Sequence, residues 1–149
     1  MENAIKRLQC NLLLLRRAAG WSADTLGKKI GVTRQTINNI ELGRSDLTQP
    51  LYMAIRLVMD QEITEHPDET EMLKGLLDML VDNPEKYDPD KTEDLKQEAE
   101  LITPSMNANK TRKEVSQNWV KKAKNMGIIV AAISVVTTAI AWLANLSKK

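Results

Sequence analysis

The sequence predicts an all-α protein, and two observations carry that prediction. Apolar residues recur every three or four positions through most of residues 1–82, which is the spacing of amphipathic helices rather than of strands. Residues that cap helices stand at the ends of these stretches. The full prediction is a five-helix domain over residues 1–82, an acidic, flexible linker with one short helix over residues 83–110, and a long C-terminal helix within residues 111–149.

Charge is distributed unevenly along the chain, although the net charge is only +1. Residues 1–59 hold nine Lys and Arg against four Asp and Glu, residues 60–100 hold four against fifteen, and residues 101–149 hold eight against one. A basic first part suits a phosphate backbone, whereas the acidic middle would be repelled by DNA. We therefore expect the acidic part to face away from any nucleic acid.

Composition excludes several classes of site. The chain has one cysteine, Cys10, and one histidine, His66, which excludes a disulfide framework and a Cys/His zinc site. We find no paired acid and base, metal-ligand cluster or phosphate-binding loop, so we expect no catalytic residue, no metal, no cofactor and no small-molecule substrate. Basic residues such as Lys6 and Arg16 interrupt the first apolar run, so no secretory signal peptide is indicated.

Residues 21–44 predict two short helices joined by a tight turn. Ser22 and Thr33 can cap the two helices with their hydroxyls, and Gly31 stands where the chain must turn. Gly27 is small enough to let the second helix approach closely. The inward-facing residues are Leu26 and Ile30 on the first helix and Ile37 and Ile40 on the second.

The outward face of the second helix is unusual for a solvated surface, because it lacks the expected Glu and Lys. It carries side chains that pair with base edges in the major groove: Arg with guanine, and Gln or Asn with adenine. The outward residues are Arg34, Gln35, Thr36, Asn38 and Asn39. This pattern predicts a DNA-recognition helix.

The stretch G-V-T-R-Q-T-I-N-N-I-E-L-G at residues 31–43 resembles the lambda-repressor-like, Xre-type helix-turn-helix family, with similarity from about residue 8 to residue 63. The resemblance implies a prokaryotic or phage-type transcriptional regulator, in particular a repressor, that binds double-stranded DNA as a homodimer. It also implies an ion pair between Arg16 and Glu41. Thr33 and Arg44 would contact phosphates. Ala23 departs from the family, which often has a glutamine there, so it is left out of the site.

Two further helices complete the predicted domain. The first helix of the chain is predicted over residues 3–19, and a fourth begins at Pro50. A fifth is predicted over residues 69–82, capped by Asp68. In the resembled family this last helix often carries the dimer contact, and its apolar side could serve that purpose or close the core.

The C-terminal part predicts a membrane anchor. Thr111 and Glu114 form a capping box, and one helix is predicted from residue 112 to about residue 146. Residues 126–146 contain no charge over 21 residues, about 30 Å of helix and enough to cross a bilayer. The anchor residues are Trp119 and Trp142, as interfacial rings, and the small-residue pair Gly127 and Ala131.

Basic residues precede this span, and such residues favour the cytoplasmic side of a membrane. We therefore expect the N-terminal domain at the cytoplasmic face of the cell membrane, with the N-terminus in the cytoplasm and the C-terminal helix in contact with lipid. Two alternatives stay open. In the first, the chain is a soluble antitoxin-like or regulatory interaction protein whose C-terminal helix is covered by a partner or by self-association. In the second, it is a membrane-acting effector that uses its N-terminal domain only for assembly.

Overall fold

The computed structural model describes residues 2–107 and 110–128, and within these ranges it contains seven α-helices and no strand. This confirms the all-α prediction. The helices are α1 (Glu2–Ala18), α2 (Ala23–Ile30), α3 (Arg34–Glu41), α4 (Gln49–Glu65), α5 (Glu71–Leu77), α6 (Pro89–Ile102) and α7 (Arg112–Asn125). A single apolar core, built mainly from aliphatic and methionine side chains, takes residues from all seven.

Helices α1 to α4 lie close to the positions that the sequence predicts. Thr25 and Thr36 each donate a backbone N–H to the hydroxyl of the predicted cap, Ser22 and Thr33 respectively, at 3.0 and 3.1 Å. A Cβ atom on Gly27 would lie 2.6 Å from the carbonyl oxygen of Val32. Glycine is therefore required at this position by the backbone of the turn rather than by a side chain of α3.

Helix α5 differs from its prediction at both ends. It begins at Glu71 and passes at Asp78 into a π-helical turn that ends at Asp82. Asp68 is not its cap, because it lies in a separate 3₁₀ turn, Pro67–Glu69. Every residue from 72 to 77 is buried. Of the two roles left open for this helix, the structure therefore supports closing the core, because α5 has no exposed apolar face.

Residues 83–107 pack on the domain, unlike the flexible linker that the sequence suggested. Leu95 and Ala99 of α6 are fully buried, and α6 contacts both α1 and α7. The stretch after α6 forms a 3₁₀ turn, Thr103–Asn107, which also lies against α1 and α7. The acidic residues that made this segment look like a linker occupy the outer side of α6, while two apolar positions hold its inner side.

Helix α7 is also part of the core, which corrects the role expected for Trp119. This side chain is fully buried, and its Nε1 donates to the carbonyl oxygen of Leu95 at 2.9 Å. Ser116, one turn earlier, accepts the backbone N–H of Met72 at 2.9 Å. Trp119 is therefore not an interfacial ring of a membrane anchor, because α5 and α6 enclose it.

Helix α7 ends at Asn125, so the prediction of one continuous helix to about residue 146 is wrong. Gly127 has a φ of 79°, and Ile128 donates its N–H to the carbonyl oxygen of Ala123 at 2.9 Å. This is a C-terminal capping arrangement that stops the helix. Gly127 therefore acts as a helix terminator rather than as a residue of a spanning helix.

Among the described residues, no helix has both the length and the apolar character needed to cross a bilayer. Most of the predicted span, including Ala131 and Trp142, lies outside the described residues.

Arg112 joins α7 to the first part of the chain. Its Nη1 donates to the carbonyl oxygen of Ala19 at 2.9 Å and to Oε1 of Glu62 at 2.6 Å, while its Nη2 lies 3.5 Å from a carboxylate oxygen of Glu69. One guanidinium thus contacts the turn after α1, the end of α4 and the 3₁₀ turn that follows α4. Arg112 is one of the basic residues that precede the predicted span, but its guanidinium makes contacts within the folded domain.

Ion pairs also hold α4 against the π-helical turn. Arg56 donates from Nη1 to Oδ1 of Asp82 at 2.5 Å and approaches Asp60 at 3.5 Å. Burial alone would lower the pKa of Arg56, but the hydrogen bond to Asp82 and the charge of Asp60 raise it, so the guanidinium stays charged. Nearby, burial lowers the pKa of Lys74, against the charges of Asp60 and Asp78.

Candidate nucleic-acid interface

Helix α3 presents two opposite faces, one packed and one polar. Ile37 and Ile40 are buried to 0% and 1% exposure against the core. On the opposite side Gln35 is exposed and Asn39 is half-buried, and the helical repeat places these two at the centre of the outer face. Arg34 is exposed beside them, and Thr36 and Asn38 are half-buried at the edges. The structure thus brings the predicted base-recognition residues onto one surface.

Gln35 and Asn39 contact each other on this surface. The Nε2 of Gln35 donates to Oδ1 of Asn39 at 3.1 Å, one helical turn away. The Gln35 amide keeps a carbonyl oxygen and a second N–H for an external partner, and these are the two groups that adenine requires in the major groove. Asn39 therefore helps to fix the orientation of the exposed Gln35 amide.

The only carboxylate of α3, that of Glu41, is turned away from the polar face. Arg16 of α1 binds it through two hydrogen bonds, Nε to Oε2 at 2.7 Å and Nη2 to Oε1 at 3.0 Å. The two side chains are only 10% and 6% exposed. The ion pair that the resemblance implied thus forms, and it leaves the outer face of α3 without negative charge that would repel phosphates.

The loop after α3 is held by Gln9, which sequence reasoning missed. Its Nε2 donates to the carbonyl oxygens of Ile40 and Ser45 at 3.0 and 2.8 Å, and its Oε1 accepts the backbone N–H of Leu47 at 3.1 Å. One amide side chain therefore fixes the path of residues 42–47 relative to α1. No local pattern marks Gln9, since its partners lie 31 to 38 positions away.

Arg44 is exposed on this loop, and its backbone N–H donates to the carbonyl oxygen of Asn39 at 2.8 Å. Thr33 is exposed at the start of α3, where its hydroxyl accepts the Thr36 N–H and lies 3.1 Å from the Thr36 hydroxyl. Thr33 and Arg44 therefore bracket α3 at its two ends. Side chains at these places suit phosphate contacts on either side of a groove.

Two lysines of α2 have partners within the chain. Lys28 pairs with Asp24 at 3.0 Å, with both side chains exposed, and the Nζ of Lys29 lies 4.9 Å from the ring centre of Trp21. Both amino groups stay at the surface, where they add positive charge next to α3.

Together, α2, the turn and α3 form a helix-turn-helix unit with one exposed polar helix. Residues 12–65 match the family model described as Helix-turn-helix. The matched segment contains α2, α3, α4 and the later part of α1, and the match suggests a DNA-binding regulator. Comparisons with curated proteins and with solved structures found no match.

Proposed function

We propose that the chain is a sequence-specific transcriptional regulator, in particular a repressor, that inserts α3 into the major groove of double-stranded DNA. The observation that carries this proposal is the outer face of α3, where Arg34, Gln35 and Asn39 lie on a surface free of carboxylates. A helix placed in this way is the recognition element of helix-turn-helix proteins. The family match over residues 12–65 supports the same interpretation.

The residues divide into two roles. Gln35, oriented by Asn39, would bind adenine, and Arg34 would bind guanine or an adjacent phosphate. Thr33 and Arg44, together with main-chain N–H groups at the helix starts, would hold the phosphate backbone and set the position of α3 without specifying sequence.

Replacing Gln35 by alanine is expected to cost about 1–3 kcal/mol of binding at one base pair, because the paired donor and acceptor are lost. Selection of binding sites from a random DNA pool, with wild type and variant in parallel, measures this. The variant should lose preference at one position per half-site and keep it elsewhere. Equal weakening on every sequence would contradict base recognition by Gln35.

Replacing Arg44 by alanine is expected to weaken binding to all sequences alike, because a phosphate contact carries no sequence information. The slope of log K against log salt should fall by about one. Titrations of one duplex at several salt concentrations measure the slope. Lys86, a basic residue outside the matched segment, is the matched control, and Lys86→Ala should leave the slope unchanged. A change of base preference in the Arg44 variant would argue against a phosphate contact.

We further propose, on the uncharged sequence that follows Gly127 and extends to residue 146, that the chain is tethered to the cytoplasmic face of the membrane. Carbonate extraction of cell membranes tests this, with a chain ending at residue 128 as the control, because that control retains α7. Resistance of the full chain and release of the control are expected. Release of both by carbonate would favour the alternative of a soluble interaction protein whose C-terminal segment is covered by a partner.

A further inference from the structure

An open groove of about 270 Å³ lies between the start of α5 and the outer side of α7. Helix α5 contributes one lining residue and helix α7 contributes four. The lining residues are Glu71, Gln117, Val120, Lys121 and Lys124. Gln117, Lys121 and Lys124 follow one another at intervals of four and three positions, so their side chains lie along one side of the helix.

The basic residues of α7 divide into those with internal partners and those that line the groove. Arg112 makes the internal contacts described above, and Lys122 pairs with Glu98 at 3.1 Å. Lys121 and Lys124 are exposed, and within residues 2–107 and 110–128 neither of them forms an ion pair. The groove therefore offers two positive charges to an external anion.

We propose that this groove binds the headgroup of an anionic phospholipid, a phosphate diester that carries a free hydroxyl, as in phosphatidylglycerol. The two lysines suit the phosphate, because an ammonium group binds phosphate as a compact charge. The amide of Gln117 supplies a further N–H donor. Glu71 is half-buried and pairs with neither lysine among the described residues, so its carboxylate can accept the headgroup hydroxyl.

The position of the groove favours a lipid over a soluble phosphate compound. Lys124 lies three residues before Gly127, after which the uncharged sequence extends to residue 146. Three residues span at most about 11 Å. When the uncharged sequence enters a bilayer, the groove lies near the headgroups, where lysines are attracted to anionic lipids. This choice of ligand rests on the proposed membrane tether, whereas the groove and its two available lysines do not.

A lipid in this groove is compatible with DNA binding through α3. Helix α3 packs on α1 and α2, whereas the groove is formed by α5 and α7. A headgroup there covers none of the residues proposed for base recognition. Because Trp119 fixes α7 in the core, the headgroup would hold the folded domain, rather than a flexible arm, against the membrane.

Native mass spectrometry of the full chain in a neutral detergent tests the proposal by titration with phosphatidylglycerol or phosphatidylcholine. The choline headgroup has no N–H or O–H group and balances its phosphate with a cation, so it should bind at least about tenfold more weakly. Lys121→Gln with Lys124→Gln should weaken binding of phosphatidylglycerol by about tenfold or more, because each lysine near anionic lipid contributes several-fold. Lys86→Gln with Lys91→Gln removes the same charge from exposed positions outside the groove and should leave binding unchanged.

Equal binding of the two lipids, or equal loss in the two double variants, would overturn the proposal. Displacement of the lipid by glycerol 3-phosphate at the same concentration would assign the groove to a soluble phosphate compound, and displacement by duplex DNA would assign it to nucleic acid. Either result would overturn the assignment to lipid.

Carbonate extraction decides the tether separately. Release of the full chain by carbonate, together with binding of phosphatidylglycerol that depends on Lys121 and Lys124, would contradict the tether and support the headgroup site. A carbonate-resistant chain whose variants all bind this lipid equally would support the tether and overturn the headgroup site.

Discussion

Replacement of Trp119 by alanine is expected to lower the free energy of unfolding by about 3–5 kcal/mol, the usual cost of truncating a buried aromatic side chain. The ring is fully buried, and its N–H satisfies the carbonyl oxygen of Leu95 in the interior. The variant loses this packing and leaves a buried acceptor without its donor. Urea unfolding followed by circular dichroism measures the loss for the whole helical domain.

The matched control is Asn118→Ala, which changes the exposed neighbour on the same helix and should alter stability by about 0.5 kcal/mol or less. An unchanged midpoint for Trp119→Ala would show that α7 is independent of the helix-turn-helix unit. It would restore the sequence-based view of a separate C-terminal helix. A single unfolding transition of all helices, with its midpoint at a lower urea concentration than in the wild type, would support the packed arrangement.

Replacement of Glu41 by alanine is expected to cost a similar amount, about 3–5 kcal/mol, because it leaves the guanidinium of Arg16 buried without its counter-charge. The Arg16 side chain is 10% exposed, so water cannot readily replace the lost carboxylate. Its third hydrogen bond, from Nη1 to the Trp21 carbonyl oxygen at 3.0 Å, holds the charge in place. Thermal or urea unfolding provides the measurement.

Two comparisons make this result specific. Lys28→Ala removes an ion pair whose side chains are 79% and 56% exposed and should cost about 1 kcal/mol or less. The double variant Arg16→Met with Glu41→Leu removes both charges and should recover most of the loss, since no unpaired charge remains. A double variant as unstable as Glu41→Ala would show that lost packing, rather than the unpaired charge, causes the effect.

Much of the first 65 residues could be predicted because the deciding signals are local. A hydroxyl at Ser22 or Thr33 caps a helix only three residues away, and Thr111 does the same for α7, accepting the Glu114 N–H at 3.2 Å. The outward-facing residues of α3 follow from the 3.6-residue helical repeat once the buried positions are known. The ion pair between Arg16 and Glu41 could be predicted only from the family resemblance, because 25 positions separate the two residues.

The role of residues 83–128 could not be predicted in the same way. Val115, Trp119 and Ala123 form a stripe at four-residue spacing, which indicates a packing face without naming what covers it. The basic residues of this segment and the uncharged stretch after it indicated a helix that leads into a membrane span. Three long-range contacts decide otherwise: Trp119 to Leu95, Ser116 to Met72, and Arg112 to Ala19.

The sequence by itself determined the all-α class, the caps of α2, α3 and α7, and the polar outer face of α3. Each of these depends on residues within one or two helical turns of each other. Only the tertiary structure decided that α7 packs between α5 and α6 through Trp119 and that Gln9 holds the loop bearing Arg44. Those contacts join residues tens of positions apart, and burial of a face depends on which distant segment covers it rather than on its own composition.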